Sequence, residues 1–233
     1  MLKVDTINTY YGSSHILQDV SLTVNQGEVV ALLGRNGVGK TTTMRSIMGL
    51  TPPRSGEVYY CGHKINTLPP YRINRLGIGY VPEDRQVFPD LTVEENLLVA
   101  QRSRNSKKGE EWTREKVYEL FPELAKMPNR LAGRMSGGEQ QMLTIARTLV
   151  GNPDLLLLDE PSEGLAPKVV LNLLDVLKVI KKSISILLAE QNAVFALSLA
   201  DRCYIMEKGK TVYEAAAEEI RENKDIQKKY LIF

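Results

Sequence analysis

Four short segments of the chain are apolar almost throughout: Val29–Leu33, Ile78–Val81, residues 155–158 and residues 184–189. A strand with one wet face alternates apolar and polar side chains, so runs without alternation belong to strands covered on both faces. Between them the spacing turns helical, with Val169, Val170, Leu173, Leu174, Val176, Leu177 and Ile180 repeating at three- and four-residue intervals. Strand and helix therefore alternate, which predicts an open, helix-covered, mostly parallel α/β sheet built on these four strands. The N-terminal part reads differently. Residues 2–7, 20–24 and 57–60 form short, turn-bounded runs, the last closed by Cys61-Gly62, and predict an antiparallel sheet laid on the core. From Val93 to about Ala132 the chain is charged and helix-forming with no strand-like run, which predicts an inserted helical subdomain. Residues 102–111 read as a solvated loop or helix end.

The chain has 233 residues, enough for one sizeable core with an appended subdomain and short for two independent domains. Lys and Arg number 30 against 28 Asp and Glu, a balance that argues against nucleic acid as a partner. Cys61, Cys203, His15 and His63 have neither zinc-ligand nor disulfide-framework spacing, so free thiols in a reducing cytoplasm are expected. No stretch approaches the roughly 18 consecutive apolar residues of a membrane span, and residues 1–11 lack the basic and apolar regions of a signal peptide. Any membrane role would come through a partner.

The segment Gly34-Arg35-Asn36-Gly37-Val38-Gly39-Lys40-Thr41 fits the P-loop pattern G-x-x-x-x-G-K-[ST] and sits between an apolar strand and the helical residues 42–50. Glycines let backbone N–H groups turn inward around phosphate oxygens, and a helix N-terminus adds unpaired N–H groups and its positive dipole end. Lys40 is expected on the β and γ phosphates, and the Thr41 hydroxyl on Mg²⁺. A second chemistry-bearing segment is Asp159-Glu160-Pro161, at the C-terminal end of the 155–158 strand, the edge where ligands of open α/β sheets bind. Alone, an acidic pair after a strand more often caps a helix. Beside a phosphate cradle, Asp159 can hold the metal and Glu160 can act as general base on the attacking water.

These two features suit a small-molecule kinase or a GTPase equally. The deciding segment is Met135-Ser136-Gly137-Gly138-Glu139-Gln140-Gln141, which resembles the signature loop of ATP-binding cassette (ABC) proteins, usually L-S-G-G-Q. The resemblance covers essentially the whole chain. It implies a RecA-like P-loop NTPase core with an N-terminal antiparallel β subdomain and an inserted α-helical subdomain, the core spanning residues 1–92 and 149–233 and the helical part residues 93–148. It implies ATP hydrolysis with Mg²⁺ in a head-to-tail dimer with a second ABC ATPase subunit, the Ser136-Gly137-Gly138 turn of one closing over ATP on the P-loop of the other. The nucleotide contacts it implies are Tyr11, stacked on adenine with Tyr10 as a possible substitute, then Gly34, Arg35, Asn36, Gly37, Val38, Gly39, Lys40, Thr41 and Thr42. Glu163-Gly164-Leu165-Ala166 would face the opposite subunit, and Leu91-Thr92-Val93-Glu94-Glu95-Asn96-Leu97 would open the helical subdomain toward the permease.

The sequence departs from the usual family pattern at Glu83, where a Gln helps ligate Mg²⁺ and senses the γ phosphate; at Gln191, where a switch histidine is usual; and at Ala166, where an Asp is usual. A carboxylate at Glu83 is still an oxygen ligand, and Gln191 can donate a hydrogen bond but carries no charge. Together with Val81-Pro82-Glu83, Val87-Phe88-Pro89, Glu163-Gly164-Leu165-Ala166-Pro167, Glu190-Gln191-Asn192 and Tyr230-Leu231, these departures resemble the second ATPase subunit of branched-chain amino-acid importers. That subunit sits peripherally on the cytoplasmic face of the inner membrane, beneath two permeases served by an extracytoplasmic solute-binding protein. Rival readings are the ATPase of a urea or short-amide importer and a non-transport regulator that binds ATP with little turnover. The connection from Ile180 to Ile184 is shorter than the family's.

Overall fold

The computed structural model describes residues 1–101 and 111–230. Of the run expected to be a solvated loop only Glu111 lies inside them, and Leu231 lies outside. In chain order the strands are β1 (Leu2–Tyr11), β2 (Ser14–Val24), β3 (Val29–Leu33), β4 (Ser55–Tyr60), β5 (His63–Lys64), β6 (Ile78–Val81), β7 (Leu155–Asp159), β8 (Ser185–Glu190), β9 (Arg202–Glu207) and β10 (Lys210–Ala216). The helices are α1 (Lys40–Ile47), α2 (Pro70–Arg75), α3 (Val93–Leu98), α4 (Arg114–Leu120), α5 (Pro122–Ala125), α6 (Gly137–Leu149), α7 (Pro167–Ile180), α8 (Ala193–Leu199), α9 (Ala217–Glu222) and α10 (Lys224–Tyr230).

The central sheet runs β10-β9-β3-β8-β7-β6, parallel from β9 to β6 with β10 antiparallel at the edge. The sequence reading expected four strands here and the structure has six. The missed hairpin carries a continuous apolar run only at residues 203–206, while β10 is mostly exposed and alternating and the tip Lys208-Gly209 is polar. The four expected strands are buried on both faces, and their residues sort by parity into separate cores. Ala31, Leu33, Leu156, Leu158, Ile186 and Leu188 pack with the helical side; Val30, Leu32, Leu155, Leu157, Leu187 and Ala189 pack with the N-terminal sheet and α1. This is why those segments carry no polar alternation.

The N-terminal antiparallel sheet is ordered β2-β1-β4-β5. Its first two strands outrun the predicted 2–7 and 20–24, since register shifts along the β1–β2 pair let pairing continue through polar residues. Thr6 and Asp19 take positive φ of 46° and 53° there. The hairpin tip between β9 and β10 fastens this sheet to the central one. Gly209 donates its N–H to Val38 O at 3.0 Å and accepts from Gln18 N at 2.8 Å. With φ +80° and a β-carbon position that would collide with Ile16 O, only glycine serves there.

The described residues between 93 and 135 hold short helices. Thr92 caps α3 in a capping box with Glu95, and the buried Asn96 amide bonds Phe88 N, Phe88 O, Leu91 O and Thr92 O. One isolated antiparallel bridge joins Thr92 to Leu131. The short 180–184 connection closes by continuing the helical hydrogen-bond pattern of α7, with Ser183 N and Ile184 N both donating to Ile180 O.

Candidate active site

The chain leaves β3 through Gly34 and enters α1 at Lys40, two residues earlier than the sequence suggested. Gly39 caps the helix at φ 112° and lies so close to β2 that a β-carbon would come 2.7 Å from Leu17 Cδ2. The positive φ demands glycine. With no side chain bonded to the α1 N-terminus, its N–H groups are available to an anion.

Lys40 is almost fully buried. Its ammonium donates to Gly34 O at 2.6 Å and Arg35 O at 2.8 Å and lies 2.9 Å from Glu160 Oε1. Two of the three ammonium donors are thus bonded to loop carbonyls, and the Glu160 contact is an ion pair in which Oε1 accepts no hydrogen bond. The other oxygen of Glu160 accepts from Gln191 N at 3.0 Å, and the Glu160 backbone N–H bonds Ala189 O at 2.9 Å with a left-handed φ of 47°. A glutamate holds that conformation only when its surroundings fix it. Gln191 therefore touches Glu160 through its backbone N–H, a contact that does not depend on the side-chain amide the sequence points to.

Thr41 Oγ1 donates to Asp159 Oδ1 at 3.0 Å, and Tyr80 OH donates to Asp159 Oδ2 at 3.0 Å. Burial pushes the Asp159 carboxyl up to about 6, against the pull of these two hydrogen bonds. Burial likewise raises the Glu83 carboxyl, helped by Glu163 and Glu160. A cleft of about 250 Å³ is lined by Ile16, Asn36, Gly37, Gly39, Lys40, Thr41, Thr42, Glu83 and Glu160. Asp159 does not line this cleft but meets Thr41 and Glu83 in the adjoining larger one; the three supply only oxygen, the donor set a hard divalent cation takes, so the residues fit Mg²⁺.

Of the expected contacts, Gly34, Arg35 and Val38 lie in the loop without lining that cleft, and Tyr11 lies outside it. Tyr11 is 45 % exposed at the end of β1. Tyr10 is engaged on its ring faces, stacked on His15 at 4.1 Å and under the Arg54 guanidinium at 4.3 Å. Tyr11 is thus the ring with a face to offer. Ser136 caps α6, which begins at Gly137 and so earlier than the Glu139 expected. Its hydroxyl accepts from Glu139 N at 3.3 Å while its own N–H donates to Glu139 Oε2 at 2.7 Å. Glu139, where the family pattern has Gln, thus completes a capping box.

Sequence reasoning missed Ile16, Tyr80, Arg85 and Glu190. Glu190 is 1 % exposed; its carboxylate accepts from Ser162 N at 3.0 Å and Asn192 N at 3.1 Å. Burial above all, and the nearby Glu160, push it up to about 7. Glu160 and Glu190 thereby clip the loops after β7 and β8 to each other in both directions. Their signal in the sequence was an acidic residue at the end of each of two buried neighbouring strands.

The family profile described as ABC transporter matches residues 17–163. The chain belongs to the ABC transporter family. It is 42% identical to the high-affinity branched-chain amino acid transport ATP-binding protein BraG of Pseudomonas aeruginosa, covering 99% of both chains. The corresponding figure is 37% for the probable branched-chain amino acid transport ATP-binding protein LivF of Archaeoglobus fulgidus, over 98% of this chain and 97% of that one. It is 34% for the lipopolysaccharide export system ATP-binding protein LptB of Haemophilus influenzae, over 99% and 97%. Among solved structures, a nucleotide-free ATP-binding cassette from an ABC transporter superposes with TM-score 0.82 at 27% identity, covering 97% of this chain and 96% of that one. A dimeric cassette in a post-hydrolysis state with ADP and Pi gives TM-score 0.79 at 25% identity, over 93% and 99%. This ABC cassette is the ATP-binding subunit of a transporter and an ATPase. Among the described residues no helix is long and apolar enough to cross a membrane.

Proposed function

We propose that this cassette powers a branched-chain amino-acid importer as one half of a head-to-tail ATPase pair beneath two permease subunits. The observation that carries the catalytic part is the Lys40–Glu160 pair at 2.9 Å in the same cleft as Thr41 and Glu83. In this reading the phosphates of ATP take over Lys40, together with the N–H groups of Gly37, Gly39 and Thr42. Glu160, released from the ammonium and still anchored by Gln191 N, accepts a proton from water aligned with the γ phosphate. Mg²⁺ held by Thr41, Asp159 and Glu83 would offset phosphate charge. Tyr11 stacks on the base, and Ile16 adds apolar contact. Ser136, Gly137 and Gly138 serve the neighbouring subunit's nucleotide, so ATP joins two chains and hydrolysis parts them.

The helical region, residues 93–148, together with the larger cleft beside it offers the permease a surface. That cleft, about 740 Å³, has Thr41, Glu83 and Asp159 at its nucleotide end and Tyr71, Gln86 and Arg147 among the residues open to a partner. Tyr71, Phe88, Leu98 and Val99 expose apolar surface, which suits a partner helix. Import of branched-chain amino acids is supported by the BraG and LivF relatives at 42% and 37% identity. A lipopolysaccharide exporter is the second reading, favoured by the 34% identity to LptB.

Two substitutions test the shared site. Lys40→Ala is expected to weaken nucleotide binding at least about a hundredfold, the loss of a charge-assisted contact to phosphate. Ser136→Arg should bind nucleotide in its own cleft yet fail to hydrolyse with its permease. Parent-like binding in the first, or parent-like turnover in the second, refutes the mechanism. Solute uptake by vesicles carrying the complete complex, with leucine as probe, separates importer from exporter.

A further inference from the structure

The loop between β6 and α3 carries Glu83 into the chain's own nucleotide cleft. Two residues on, Arg85 turns the opposite way. Its backbone is left-handed at φ 49°, a conformation arginine keeps only when its surroundings hold it. Its guanidinium lies across the signature turn, where a β-carbon added to Gly137 would collide with Nη1. From there Nη2 donates to Glu163 O at 2.8 Å and lies 3.2 Å from where a β-carbon of Gly164 would be. The guanidinium thus rests against two residues without side chains, Gly137 and Gly164.

Three segments meet at this side chain: the Glu83 loop, the 136–138 turn and the 160–165 loop. Farther along, α6 also touches the Glu83 loop, through Arg147 on Gln86 O and over the Phe88 ring, but at the signature turn itself the contact is Arg85. A planar, charged fork with its donors fixed in one plane transmits displacement better than a flexible ammonium. We infer that Arg85 is a positioning residue that links the chain's own nucleotide, felt at Glu83, to the surface it presents to its neighbour's nucleotide. This rests on the two-chain reading above, in which Gly137 and the 163–166 loop face the partner. The consequence is cooperativity between the two ATP molecules with the wire inside each subunit: filling one cleft pre-sets the turn that will close on the other.

The test needs no dimer. The full chain, kept dilute enough to be monomeric, is followed by hydrogen–deuterium exchange with and without a non-hydrolysable ATP analogue plus Mg²⁺. In the parent, the analogue is expected to slow exchange at residues 136–139 and 162–165 at least about threefold. In Arg85→Ala the analogue should still bind within about twofold of parent affinity, because Arg85 does not line the nucleotide cleft. Protection at the two distant segments should be lost. Arg85→Lys, which keeps the charge without the fork, should lose it too. Analogue-induced protection that survives in Arg85→Ala overturns the link, and so does full protection in Arg85→Lys. A parent that binds the analogue yet, when concentrated, never associates with itself or a second ATPase would instead overturn the two-chain reading.

Discussion

The ion pair between Lys40 and Glu160 predicts that the carboxylate competes with phosphate for the ammonium, and Glu160→Gln measures by how much. At 2.9 Å and an effective dielectric near 20, two unit charges attract by about 6 kcal/mol in gross terms. Desolvation and the remaining partners of Lys40 cancel most of this. Glu160 Oε1 makes this contact as an ion pair without a hydrogen bond, so the usable figure is a small net remainder, about 1 kcal/mol. Glutamine keeps an oxygen for Gln191 N and gives up only the charge. ATP no longer has to strip Lys40 from a carboxylate, and one negative charge leaves the γ-phosphate neighbourhood, which acts in the same direction. Titration calorimetry of the full chain with MgATP should therefore show Kd tightened roughly fivefold to tenfold. Steady-state hydrolysis should fall by about a hundredfold or more, the usual weight of a general base. Equal affinity in the two proteins would show that the pair does not compete with phosphate, and unchanged hydrolysis would remove Glu160 as the base.

Glu190→Gln should alter how stability responds to pH. The folded-state carboxyl is raised to about 7 from an ordinary value near 4.5, so the folded chain binds the proton more tightly than the unfolded one. Stability is then full below about 4.5 and falls as pH rises through about 7, by roughly 3 kcal/mol at most. Urea midpoints at pH 5 and pH 7.5 should show this decline shrinking in the Gln variant, and an equal decline in both proteins would refute the assignment. Tyr11→Ala should weaken ATP binding by about 1 kcal/mol, the weight of one aromatic stacking contact, with thermal stability unchanged. Tyr10→Ala should instead lower Tm by a few degrees, since it strips the stack from His15 and the Arg54 contact; the reverse pattern would assign stacking to Tyr10.

Much of the fold was legible because burial on both faces leaves an unmistakable trace: Val29–Leu33 and the run ending at Asp159 have no polar position to misplace. The β9–β10 hairpin was not legible, since an edge strand with a wet face looks like loop and only Cys203 to Met206 is continuously apolar. The phosphate loop and the acidic pair could be read because their chemistry is local in sequence. Glu190 could not, although its neighbour Gln191 drew notice, because its partner Ser162 is 28 residues away and the two meet only once β7 and β8 pair. Arg85 was hidden for the same reason: its value lies in touching Gly137 and Glu163, which no spacing rule connects.

The hairpin tip at Gly209 gives the molecule a fixed caliper. It bonds Val38 in the phosphate loop on one side and Gln18, two residues from Ile16, on the other. In the proposed binding mode, the side that would meet the base and the side that would meet the phosphates are thus tied to one backbone residue. A molecule carrying a larger gap between its aromatic and anionic ends would fit only one side at a time, so the span of the ligand is gauged before any side chain recognises it.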